Sequence, residues 1–270
     1  MGPKLRGKEK VLDARESTDR QVGGDDAVTI RIGAVALPLA IVVILVSELF
    51  HPAREDPMDN QAVFKEYANS DLWTTVHLGE YFGFLFLLGG LVALYYSLSA
   101  RPGAGAGLAP FGLAAAVVTA ASFTVLQAVD GITLRYAIDA WVSAPTPQKP
   151  AAFAAAEVAR WTEIGMNGLS YFLAGLTLFL FGLAIVLGRV YPRWVGLVAA
   201  ISGTALMYNG AVEVAYEGFV ASIVKLVGLL LLAVWAFVMA AFMWRNGSRR
   251  RIARRGPTSP RAAQRPASTR

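Results

Sequence analysis

Six runs of apolar residues, near 32–49, 78–98, 108–129, 164–187, 194–214 and 219–244, alternate along the chain with polar connections. Each is long enough to cross a hydrocarbon core about 30 Å thick, which takes roughly 20 residues of helix. Lipid offers no partner to backbone N–H and C=O groups, so runs of this length predict helices that satisfy themselves. The pattern therefore predicts an all-α fold, a polytopic bundle of six transmembrane helices over 29–244. Residues 1–28 and 245–270 lack an apolar period and read as disordered, solvated tails.

The connections differ in length. Those at 51–73 and 131–163 are long and carry unbroken helix-forming stretches, Gln61 to Ser70 and Pro150 to Glu163, the second leading straight into span four. Both predict short surface helices, with Trp73 and Trp161 at one membrane interface and Tyr95, Tyr96, Tyr191, Trp194 and Trp244 at the other. The turn Ala215 to Gly218 is so short that spans five and six must form an antiparallel hairpin. Pro102 to Gly107 matches neither a dinucleotide fingerprint nor a phosphate loop, and reads as a flexible reverse turn.

Charge fixes an expected orientation. Nineteen Lys and Arg fall on the two termini and the even connections, five on the odd connections (Arg54, Lys65, Arg135, Lys149, Arg160), and Lys225 inside span six. The positive-inside rule then predicts both termini in the cytoplasm of a cytoplasmic (inner) membrane, with span one retained as an uncleaved anchor. The composition agrees, with 55% hydrophobic residues, 16% charged and a mean hydropathy of +0.48. The basic run Arg249, Arg250, Arg251, Arg254, Arg255 follows Trp244 at the membrane face, which predicts anionic lipid as its partner and not nucleic acid. The chain has no cysteine, which excludes thiolate chemistry, disulfides and iron–sulfur ligation.

An internal echo suggests a parallel repeat of hairpins two-three and four-five. His77-Leu-Gly-Glu-Tyr81-Phe82 heads span two as Asn167-Gly-Leu-Ser-Tyr171-Phe172 heads span four, and Gly112-Leu113 in span three answers Gly196-Leu197 in span five. Small residues such as Gly79, Gly83, Ala199 and Gly203 mark close helix contacts, and the alanines of span three (Ala114, Ala115, Ala116, Ala120, Ala121) predict that it occupies the bundle centre.

Ionisable groups inside spans are costly and each needs a partner or a polar cavity. Span one ends Glu48-Leu-Phe-His51 and span two begins His77-Leu-Gly-Glu80, each an i,i+3 pair on one helix face. Imidazole with carboxylate suits zinc, iron or manganese, so these four residues are a candidate metal set; haem between His51 and His77 is disfavoured so near the surface. A second polar group comprises Asp130, Asn209, Glu213, Glu217 and Lys225, and all of these positions fall in the same half of the membrane. Three functions stay open: a binding, sensing or structural site, a proton- or cation-coupled transporter of a small solute, and a metal-dependent membrane enzyme. No serine-hydrolase elbow is present, and only Asp130 approaches the depth that an intramembrane aspartyl protease needs twice.

Tyr191-Pro192-Arg193-Trp194-Val195-Gly196-Leu197 at the start of span five resembles a bacterial family of uncharacterised six-span membrane proteins of unknown function. In that family a Pro-Arg-Trp step opens a late span and a Glu sits near the start of the second, where Glu80 stands here. The resemblance implies the six-span fold over about residues 30 to 240 and no particular activity.

Overall fold

The computed structural model describes the backbone of residues 3–254 and the side chains of residues 26–248. The described residues are helical with no strand, and six of the helices are long and apolar enough to cross a membrane. The spans are α1 (Pro3–Glu48), α3 (Trp73–Ser99), α4 (Ala104–Ala128), α6 (Lys149–Gly188), α7 (Arg193–Tyr208) and α9 (Ile223–Arg254). Span three continues beyond α4 through a π-helical turn, Val129–Leu134, into α5 (Arg135–Ser143). Span five continues through a second, Asn209–Val214, into α8 (Ala215–Glu217). One further helix, α2 (Asn60–Ala68), lies in the first connection.

Each span packs on the one before it and the one after it, and α9 returns to pack on α1. The six helices therefore form a closed up-and-down ring. Span three is one stave of this ring and not its centre, because its alanines face both ways: Ala115 and Ala116 are buried, whereas Ala114 and Ala121 point outward. In the most apolar window of each span only 28–44% of residues are buried, so most of the hydrophobic surface faces outward, as a lipid solvent demands.

Glycine lets neighbouring staves touch. Gly168, Gly175 and Gly182 of α6 recur every seven residues, as do Gly196, Gly203 and Gly210 of the facing span, and the two rows pair antiparallel. A Cβ on Gly203 would lie 2.4 Å from the Gly175 carbonyl oxygen, one on Gly196 2.5 Å from that of Gly182, and one on Gly210 2.2 Å from that of Gly168. A seven-residue repeat stays on one face of a slightly supercoiled helix, which keeps all three pairs in register. On α3, Gly79 and Gly83 similarly meet Ser47 and Ile44 of α1.

The ring is closed at the end that carries the termini. Ile30, Leu37, Leu94, Leu98, Phe181, Ile185, Trp235 and Met239 fill its interior there. Ser97 and Tyr191 share a hydrogen bond, Asn246 donates to both, and Arg31 lies 4.2 Å over the Trp244 ring. The Gly-rich connection departs from the expected flexible turn, since α4 already begins at Ala104. Without a side chain Gly105 abuts Gly188, and the helix end gains a partner. Helix also replaces the expected tail over residues 3–28, for a helix nucleated in the membrane needs only propagation to extend through residues such as Glu9, Lys10, Ala14 and Arg15. The side chains of the basic run from Arg249 lie outside the described residues.

At the other end the staves outrun the bilayer. Span three with its extension and α6 are 40 residues each, about 60 Å at 1.5 Å per residue, twice the hydrocarbon thickness. Their protruding parts, α5 and the start of α6, pack with α2 around Val63, Phe64, Tyr67, Trp73, Leu134 and Ile138 to form a small folded cap.

Candidate functional site

Beneath the cap all six spans surround a cavity of about 390 Å³. Its walls are mostly apolar: Ile41 and Ile44 of α1, Phe84 and Leu88 of α3, Ala116 and Phe123 of α4, Ala174 of α6 and Leu229 of α9. The polar lining is concentrated toward the capped end, where Glu48, Glu80, Gln127, Asp130, Asn167, Tyr171 and Lys225 contribute. Thr119 and Thr177, deeper in, bond to each other at 2.9 Å and back to the carbonyls of Ala115 and Leu173. Leu45 is 56% exposed and also lines the cavity, so at span one the wall is a single side chain thick.

The π-helical turn of span three places Asp130. Widening the helix there turns backbone carbonyls outward, a common device at functional sites. The Asp130 carbonyl accepts from Trp73 Nε1 at 3.1 Å and that of Gly131 from the Thr74 hydroxyl at 3.2 Å. Gly131 lets the start of α3 come close, since a Cβ would stand 2.5 Å from that of His77. The Asp130 carboxylate then meets His77 Nε2 at 3.1 Å, while His77 Nδ1 bonds the Trp73 carbonyl at 2.7 Å. The turn of span five has a similar grammar: Asn209-Gly210 opens it, whereas Asp130-Gly131 follows one residue into that of span three, and Gly210 rests on Gly168, beside Asn167. Thus the residues paired by the sequence echo, His77 and Asn167, each lie near a π-helical glycine.

The four residues of the candidate metal set meet only in part. The His51 and His77 rings lie 5.3 Å apart within a stack that includes Trp73 and Tyr67. Glu48 and Glu80 instead line the cavity. His51 Nδ1 bonds the Pro52 carbonyl at 2.9 Å, His77 Nδ1 is taken by the Trp73 carbonyl, and His77 Nε2 stands 3.1 Å from Asp130 as an ion pair. Among the described residues no three His, Asp or Glu side chains stand together as a metal-holding group. Burial first, and the neighbouring His77 second, hold the His51 imidazole below its ordinary range, and burial pushes the Tyr67 phenol up.

The second polar group divides. Asp130 joins His77. Asn209 donates to Glu213 at 2.7 Å, and the Ser222 hydroxyl donates to the same carboxylate while accepting from the Lys225 backbone N–H, so these three cap the start of α9. Glu217 is exposed and stands apart. Lys225 extends over the Tyr171 ring, 4.7 Å from its centroid, at the cavity wall.

Two residues to which the sequence assigned no place in a site, Gln127 and Arg160, prove central. Gln127, one turn before Asp130, donates to Glu80 at 3.0 Å. Arg160, only 1% exposed, donates to both oxygens of Glu163 at 2.8 and 2.7 Å, to the Pro57 carbonyl and to the Tyr67 hydroxyl, and lies over Phe219. It joins α6 to the first and last connections at the cap. The i,i+3 spacing of Arg160 and Glu163 was the available signal. No protein-family model, curated protein or solved structure matches the chain.

Proposed function

We propose that this protein binds a small amphiphilic molecule inside the membrane, its apolar body in the central cavity and its polar head under the cap. The observation that carries the reading is a cavity walled by all six spans, apolar through most of its depth and polar at one end. Its volume lies near the lower bound of small-molecule pockets, roughly 300–1,000 Å³, which suits a single-chain amphiphile better than a diacyl lipid. Entry is from the bilayer past Leu45 and Glu48, where the wall is thinnest. The capped end faces outward and the termini lie in the cytoplasm, an orientation supported by the Lys and Arg asymmetry, in the cytoplasmic membrane of a bacterium, for which the Pro192-Arg193-Trp194 step speaks. Conduction to the inner face is not part of the proposal, because Phe181, Ile185, Trp235 and Met239 pack the ring below the cavity.

Extraction of the full chain with its surrounding lipid in a polymer disc, followed by mass spectrometry of the bound small molecules, tests the proposal. One amphiphile enriched over bulk lipid is expected, and it should fall by roughly tenfold, about 1.4 kcal/mol, in Ala120→Phe or Ala174→Phe, which fill the cavity. Equal retention by folded, filled variants, or no enriched species at all, would overturn it.

A further inference from the structure

We infer that the head group taken beneath the cap is a primary amine or ammonium. This rests on the amphiphile reading above and adds the chemistry of the head. Glu80 gives one oxygen to Gln127, leaving Glu80 Oε1 and Gln127 Oε1 without a protein partner. Asp130 gives Oδ2 to His77 and leaves Oδ1 free, and Asn167 Oδ1 is likewise unpartnered. All four residues line the cavity. Glu80 and Gln127 are 8% exposed and Asp130 9%, so water reaches these oxygens poorly. The capped end is thus rich in hydrogen-bond acceptors and poor in donors.

A buried acceptor left unmade is expensive, and a group carrying several N–H bonds satisfies more than one at once. Charge points the same way. Arg160 pairs with Glu163 and His77 with Asp130, whereas Glu80 has only the neutral Gln127 as hydrogen-bond partner. The wall's single Lys, Lys225, lies over Tyr171, and the hydroxyls of Thr119 and Thr177 are spent on each other and on backbone carbonyls. A carboxylate or phosphate head would face these carboxyl and amide oxygens with one ammonium to offset them. A quaternary ammonium would bring charge but no N–H.

The test uses one tail with four heads: dodecylamine, dodecyltrimethylammonium, dodecanoate and dodecanol. Each is titrated calorimetrically into the full chain in phosphatidylcholine nanodiscs, with empty nanodiscs subtracted. The amine should bind at least about tenfold more tightly than each of the others, and Glu80→Gln should reduce its advantage over dodecanol by about tenfold. Asn167→Leu, at a less buried position, should reduce the same advantage and serves if Glu80→Gln fails to fold. Dodecanoate binding as well as the amine, or four equal affinities, would overturn the head-group assignment alone. Failure of all four to bind would instead overturn the amphiphile reading beneath it.

Discussion

Arg160 shows how a single side chain can organise one end of a membrane protein. Its guanidinium is almost wholly removed from solvent, yet its hydrogen bonds reach α2, the first connection and its own helix, while its face covers Phe219. Such a group stabilises only while its partner carboxylate is present, because the attraction offsets a desolvation cost of several kcal/mol per ion. Arg160→Met should therefore leave Glu163 buried and uncompensated, lowering stability by about 3–5 kcal/mol, whereas Arg160→Met with Glu163→Leu should recover most of the loss. Thermal unfolding midpoints of the three proteins decide this; a double variant no better than the single one would show that the pair itself holds the cap. In the linear chain Arg160 could be read only as a loop cation, since nothing there reveals that α6 begins well outside the bilayer and carries it under a lid.

The hairpin of spans four and five rests on three glycine pairs. Lipid does not drive apolar helices together, so close backbone approach must come from residues without a Cβ. Gly203→Leu would push side-chain atoms into the Gly175 carbonyl and should cost about 3 kcal/mol or more, with loss of monodisperse protein on gel filtration. Gly89→Ala is the control: no atom beyond its own helix backbone and chain neighbours lies within 4 Å of its Cβ position, and relief of glycine's backbone entropy should stabilise by about 0.5–1 kcal/mol. The seven-residue spacing is visible in the sequence, but pairing Gly168 with Gly210 and Gly182 with Gly196 needs the antiparallel register that only the packed hairpin supplies. The π-helical turns were harder to read. A widened turn leaves no hydropathy signature, although Asp130-Gly131 and Asn209-Gly210 both pair a short polar side chain with a residue that lets a neighbour approach.

At the scale of the whole molecule the six crossings were legible because hydropathy reports directly on the cost of burying polar backbone in lipid. Their arrangement was not. Ring closure depends on α9 meeting α1, and that contact joins the two ends of the domain through Gly33 with Met243 and Gly247 with Arg31. The cavity is a property of that closure and belongs to no span alone. Orientation can be tested cleanly in a chain that has no cysteine of its own. Gln61→Cys and Lys149→Cys, both exposed at the capped end, should react with an impermeant maleimide in intact cells, and Arg101→Cys, exposed at the opposite end, only after permeabilisation. The reverse pattern would invert the proposed topology. Closure also bears on biosynthesis. Because α9 leaves the ribosome after the other five spans, the chamber is a horseshoe until that helix is laid in, and an unfinished chain has a slot open to the bilayer where the finished one has a room.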